Sequence, residues 1–288
     1  MTIQLFASRW RITSQGGLRA SARLWLTVAV MGQWIFAAYI VLTYGVYAFR
    51  GELAAWNETL PHGYEAGNVF GNASLVFHLA FAAVITLIGA LQLVPRLRVR
   101  FPALHRGLGR VYVFVALVMA ATGLYLSLSG RRVVGGLMQQ IATDINGVVI
   151  IGCAVMAWRR AVERGISSHR RWALRLFLVV NGVWFFRVGL MGWLLVNQGP
   201  VGFDMATFSG PFLTILNFAQ FIVPLLVLEL YLWMQEKGGT VGRAVVASGL
   251  CVLTLVTGLG IFAAAGGLWG PRLENALGGR KSVGMVSN

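Results

Sequence analysis

Charged residues are scarce in this sequence, and only nine of them are acidic. Only 11% of the 288 residues are charged, whereas an ordinary soluble domain carries about 25%. With 57% hydrophobic residues, too little polar side-chain surface remains to cover a soluble core. The composition therefore excludes an ordinary soluble domain and predicts that a lipid bilayer surrounds most of the chain.

Cysteines and recognisable catalytic motifs are also few. Cys153 and Cys251 both lie in apolar runs, where a thiol behaves as a small hydrophobic group. Their spacing fits no metal-binding pattern. The sequence has neither a phosphate-cradling glycine loop nor a nucleophile elbow. An enzyme that acts on soluble substrates is therefore the least supported class.

Long apolar runs dominate what remains. They cover residues 24–49, 69–94, 108–129, 136–158, 172–196, 211–235 and 243–268. Each is about long enough to cross a bilayer as a helix, which satisfies its own backbone groups in lipid. The predicted fold is an all-α polytopic membrane bundle of about seven transmembrane helices over residues 24–268. Residues 1–23 are predicted to be a basic cytoplasmic segment, and residues 269–288 a disordered extracytoplasmic tail.

The positive charge is distributed unevenly between the two sides of the predicted bundle. Seventeen of the 24 lysines and arginines fall in the N-terminal segment and in the loops after the second, fourth and sixth spans. Six fall on the other side, and Arg187 lies within a span. The positive-inside rule places the N terminus in the cytoplasm. The clusters are predicted to meet anionic phospholipid headgroups there, and this distribution argues against nucleic acid as a partner.

Two stretches resemble a known family. They are FHLAFAAVITLIGALQLVPRLRVRFPALHRGLGRVYV at 77–113 and SHRRWALRLFLVVNGVWFFR at 168–187. Together they resemble bacterial multi-pass membrane proteins catalogued as domain of unknown function 2306. The resemblance implies a helical membrane fold and a bacterial cytoplasmic membrane, and it implies no activity.

Polar residues recur at one depth within the predicted spans. Four of them lie about 12–14 Å from the predicted outer end of their helices, and two more lie close to that depth. The six are His78, Asp144, Arg187, Gln220, Tyr39 and Asn217. Because a buried arginine needs a partner, we expect Asp144 to pair with Arg187 and His78 to lie nearby. The layer is either a site for a small molecule or proton, or a structural ion pair.

A second candidate site lies near the predicted cytoplasmic ends of the helices. His105 and His169 are at similar depth on different spans, and an arginine follows each of them. Two such histidines could ligate one b-type haem, with the arginines holding its propionates. The alternative is that both residues anchor helix ends at the phospholipid headgroups.

Two packing features are also predicted. Glu229 is expected to pair with Arg175 near the cytoplasmic end of the bundle. Glycines in the seventh run indicate close helix packing; they are Gly258, Gly260, Gly266 and Gly267.

Three classes of function remain open from the sequence. The first is a membrane protein that binds a small molecule or proton at the polar layer. The second is a haem-b membrane electron-transfer protein, and the third is a non-catalytic membrane subunit or assembly factor. The convergence of polar groups at one depth favours the first, and the lack of inverted repeats counts against active transport.

Overall fold

The computed structural model describes residues 2–58, 60, 63–128 and 135–278, with side chains from residue 13 onward. Within these ranges the regular structure is helical. The α-helices are α1 (Thr2–Phe49), α2 (Val69–Gln92), α3 (Pro95–Arg100), α4 (Pro102–Leu128), α5 (Leu137–Val162), α6 (Ile166–Val180), α7 (Gly182–Asn197), α8 (Pro211–Lys237), α9 (Thr240–Ala264) and α10 (Gly270–Gly278). A 3₁₀ turn covers Leu53–Glu58, and a π-helical turn covers Ala265–Trp269.

The spans agree with the predicted fold. Among the described residues, six helices are long and apolar enough to cross a membrane, and the bent pair α6–α7 makes a seventh crossing if it is one span. On α9 the side chains of Val252, Leu255 and Phe262 are exposed, as expected of a surface that faces lipid. The all-α polytopic bundle is therefore confirmed. The cytoplasmic position of the N terminus stays a prediction.

The helices form a closed bundle. α1 packs against α2 and α9; α2 packs against α4, and α4 against α5. α5 also contacts α6 and α8, while α7 packs between α8 and α9. The loops rich in arginine lie at one end of this bundle, here called the arginine-rich end, and α10 lies at the opposite end.

α7 and α9 approach each other at Gly260. A Cβ atom added there would lie 2.5 Å from the carbonyl oxygen of Val188 and 2.6 Å from its Cγ1. A Cβ on Gly267 would also meet a side chain, at 3.0 Å, whereas Gly258 and Gly266 have no neighbour closer than 4.0 Å. Close packing is thus confirmed at two of the four predicted glycines, because only those two face a neighbouring element at short range.

The fifth predicted span is broken rather than continuous. α6 and α7 meet at Asn181 with a bend of 51°. Broken helices leave carbonyl groups that lipid cannot satisfy. Asn146 on α5 donates to the carbonyl of Val179 at 3.2 Å, and the Asn181 side chain donates to that of Phe177 at 2.7 Å. The bend follows from an Asn-Gly pair within the apolar run, which is a turn signal.

The predicted disordered tail differs from the structure over its first part. Residues Gly270–Gly278 form α10, and residues 279–288 lie outside the described part of the chain. Trp269 and Ala276 are buried against the aromatic face of α1. Arg50 at the end of α1 donates to the carbonyl of Ala276 at 2.7 Å. Burial of these side chains and this hydrogen bond hold the segment, which composition alone does not reveal.

Candidate functional sites

The six side chains of the predicted polar layer separate into groups. Tyr39, His78 and Arg187 come together at the end of the bundle opposite the arginine-rich end. Asn217 and Gln220 instead lie by the α6–α7 bend, and Asp144 belongs to neither group. Equal depth therefore did not mean contact.

Arg187 is the centre of the first group. Its guanidinium carbon lies 5.1 Å from the ring centroid of Phe36, within the range of a cation–π interaction. Its charge also acts on His78 and Tyr39. Trp269 closes the group, with its ring centroid 5.3 Å from that of Phe36. We call these five residues the arginine cluster.

Several polar atoms in the arginine cluster are buried without a hydrogen-bond partner in the described part of the chain. They are Tyr39 Oη, His78 Nδ1 and Trp269 Nε1. They come from α1, α2 and the π-helical turn, which are three separate elements. Buried polar atoms are nearly always hydrogen-bonded in folded proteins, so this arrangement marks the cluster as a candidate ligand site.

The predicted pairing of Asp144 with Arg187 is wrong. No ion pair within 4.0 Å joins them among the described residues, and Asp144 Oδ1 has no hydrogen-bond partner there. The reason is the arrangement of the helices. α5 packs against α4, α6 and α8, whereas α7 packs against α8 and α9 and directs Arg187 towards Phe36 of α1.

Amide side chains surround the α6–α7 bend. Asn146 and Gln220 approach Gly182 so closely that a Cβ atom there would lie 3.0 Å from Asn146 Nδ2 and 3.4 Å from Gln220 Oε1. Gln220 Nε2 donates to the carbonyl of Asn217 at 2.9 Å, and the Asn217 side chain donates to the carbonyl of Leu213. This group supports the break in the span, and among its members Gln220 also lines the large cavity described below.

At the arginine-rich end, the acidic residues are already paired. Arg175 holds Glu229 through two hydrogen bonds, of 2.7 and 2.9 Å, so the predicted pair is confirmed. Arg159 and Arg160 both hold Glu163, and the hydrogen bond from Arg159 lowers the pKa of that carboxyl below its usual value. Glu236 forms an ion pair with Arg171.

A cavity of about 1520 Å³ opens at the arginine-rich end and extends along the bundle past Gln220 to Trp193 and Val196 of α7. Apolar side chains, among them Trp25, Phe177 and Phe185, form most of its walls, and its lining includes no aspartate or glutamate. The six arginines that line it make no ion pair within the described ranges. They are Arg19, Arg23, Arg98, Arg106, Arg110 and Arg170. We call this space the arginine-lined cavity.

His105 and His169 both line the arginine-lined cavity and lie within electrostatic range of each other. His169 Nδ1 lies 2.9 Å from the carbonyl oxygen of Ala157. A proton on Nδ1 would make that hydrogen bond and leave Nε2 free as a ligand. At His105, the Gln92 side chain donates to Nδ1 at 3.1 Å in the amide orientation that satisfies its other neighbours. The two histidines that the sequence predicted at similar depth therefore line one cavity, and haem ligation by them stays a prediction.

Comparison with known proteins bears on the helices that carry both sites. A family model described as predicted membrane protein (DUF2306) matches residues 75–232. The chain belongs to this family. The match confirms the resemblance seen at 77–187 and extends it through most of α8. No curated protein and no solved structure matches the chain. The family establishes an integral membrane protein and does not indicate an activity.

Two contributors to the sites were missed from the sequence. Trp269 falls in the predicted disordered tail, yet its indole is buried in the arginine cluster. Gln92, which contacts His105, lies in the stretch that resembles the family, but nothing in the sequence was a reason to assign it a role. Its position 13 residues before that histidine becomes meaningful only because α3 turns the chain back between α2 and α4.

Proposed function

We propose that this protein binds a small amphipathic molecule inside its membrane bundle, with the anionic groups of the ligand at the arginine-rich end. The arginine-lined cavity carries this proposal, because six arginines and two histidines line it and no acidic residue does. Uncompensated arginines favour carboxylate or phosphate groups. The apolar walls favour a hydrocarbon or ring system in the same molecule.

The cavity is large enough for such a ligand. Binding sites for small molecules typically enclose about 300–1,000 Å³, and about 1520 Å³ are available here. Gln220 offers a polar group part of the way along the cavity. The positive-inside rule predicts that the arginine-rich end is on the cytoplasmic side, and the family resemblance implies a bacterial inner membrane. The mouth of the cavity would then face the anionic headgroups of the inner leaflet.

Haem b is the second candidate ligand, and the two histidines favour it specifically. α4 and α6 both pack on α5, so His105 and His169 come from helices that flank a third. His169 has the carbonyl partner that haem-ligating histidines commonly have. If iron binds Nε2 of His105, the proton of that ring is on Nδ1. The Gln92 amide must then take the opposite orientation from the one described above, so that its oxygen accepts a hydrogen bond from Nδ1–H. The arginines of the cavity would then hold the propionates.

Purified protein distinguishes these candidates. We expect protein extracted in a mild detergent to retain an anionic amphipathic molecule, detected by mass spectrometry of its organic extract. The double variant Arg98→Gln, Arg170→Gln should retain about tenfold less, since it loses two charge-assisted contacts. Arg100→Gln is the matched control, because Arg100 is exposed and does not line the cavity.

The absorption spectrum separates haem from a lipid. A Soret band that disappears in His169→Ala identifies haem as the ligand, whereas a colourless protein with bound anionic lipid excludes it. Equal retention by wild type, the double variant and the control would contradict the proposed site.

A further inference from the structure

We propose that the arginine cluster is a second binding site, which takes a small carboxylate at the end of the bundle opposite the arginine-rich end. This site shares no residue with the cavity and does not depend on it. Its ligand would approach from the side on which α10 lies, rather than from the arginine-rich end.

The charge of Arg187 is the first support. An arginine within a membrane span cannot lose its proton and needs an anion, a set of carbonyls or water. Arg187 makes no ion pair with any carboxylate in the described ranges. The charge of Arg272 on α10 also acts on Arg187, so two positive charges lie near the arginine cluster.

Hydrogen-bonding groups converge on the same place. Tyr39 Oη, His78 Nδ1 and Trp269 Nε1 are buried and have no partner in the part of the chain that the structure describes. Each of the three can donate a proton to an anion. Their ring systems also come close, since the centroids of Tyr39 and Trp269 are 6.3 Å apart. A guanidinium binds a carboxylate through strong charge-assisted hydrogen bonds, and the neutral donors beside it could add further hydrogen bonds.

The surroundings limit the class of ligand. The planar guanidinium fork matches the two oxygens of a carboxylate. The rings of Phe36, Tyr44 and Trp269 provide apolar and aromatic surface beside it. We therefore expect an organic carboxylate to bind better than a bare halide ion.

Calorimetric titration with sodium benzoate, and separately with sodium chloride, tests this inference. In the Arg98→Gln, Arg170→Gln background, which weakens carboxylate binding in the arginine-lined cavity, the protein in detergent should bind benzoate saturably, with one site per chain. Arg187→Gln should weaken binding about tenfold or more, as expected for the loss of a charge-assisted contact. Arg100→Gln removes the same charge at the arginine-rich end and should bind as wild type does.

A milder variant keeps the test independent of folding. Tyr39→Phe removes only one hydroxyl group and should weaken benzoate binding about threefold to tenfold, the effect of one hydrogen bond. Benzoate that wild-type protein binds in the arginine-lined cavity should be lost in the double variant Arg98→Gln, Arg170→Gln, whereas binding at the arginine cluster should persist, which separates the two sites. The absence of saturable benzoate binding, saturable binding of chloride alone, or unchanged affinity in both Arg187→Gln and Tyr39→Phe would overturn the inference.

Discussion

Replacing Gly260 by alanine should destabilise the bundle by forcing α7 away from α9. The new methyl group would lie 2.5 Å from the carbonyl oxygen of Val188. That oxygen belongs to the backbone, so no change of rotamer relieves the contact. Overpacking of this kind costs about 1–3 kcal/mol, while the exchange of glycine for alanine in a helix returns about 1 kcal/mol.

A matched glycine in the same helix isolates the steric cost. Gly249 lies on α9 with no atom within 4 Å of an added Cβ, so Gly249→Ala has the same propensity effect without the clash. The difference in unfolding free energy between the two variants should therefore be about 1–3 kcal/mol. Reversible unfolding in mixed detergent micelles measures it. A difference below about 0.5 kcal/mol, the usual scatter of independent sites, would refute the close approach.

Two further predictions concern ion pairs. Because Asp144 and Arg187 do not meet, the effects of Asp144→Asn and Arg187→Gln on unfolding free energy should add to within about 0.5 kcal/mol; coupling well above this would restore the pair. Arg175→Gln and Glu229→Gln should instead show a coupling of up to about 1 kcal/mol, which declines at high salt. A cycle for the second pair that shows no coupling at low salt would contradict its two-point contact.

The sequence predicted the spans well because each apolar run is a local property. The predicted run at 69–94 is α2 (Val69–Gln92), and that at 211–235 is α8 (Pro211–Lys237). Hydrophobicity over about 20 residues is enough to define such helices.

Contacts between spans were predicted less reliably, for a geometric reason. Distance along a helix gives the depth of a residue, but it gives neither the direction of its side chain nor the order of helices around the bundle. Asp144 and Arg187 have similar depths on helices that do not pack together. His78 and Arg187 also have similar depths, and the charge of Arg187 does act on His78, so depth alone could not separate the two cases.

Residues that come together at the arginine-rich end were easier to predict. Arg175 and Glu229 have opposite charges at one depth, on helices that lie side by side. His105 and His169 both begin helices at the arginine-rich end, where the loops concentrate them. Trp269 could not be anticipated, because its burial depends on α10 returning across the end of α1.

The bend between α6 and α7 has a mechanical consequence. The first half of this broken span brings His169 to the cavity, and the second half carries Arg187 into the cluster at the far end. Asn146 secures the joint from a neighbouring helix. A change in the angle at Asn181 would tilt these two halves against each other. One movement would therefore alter both the cavity and the arginine cluster.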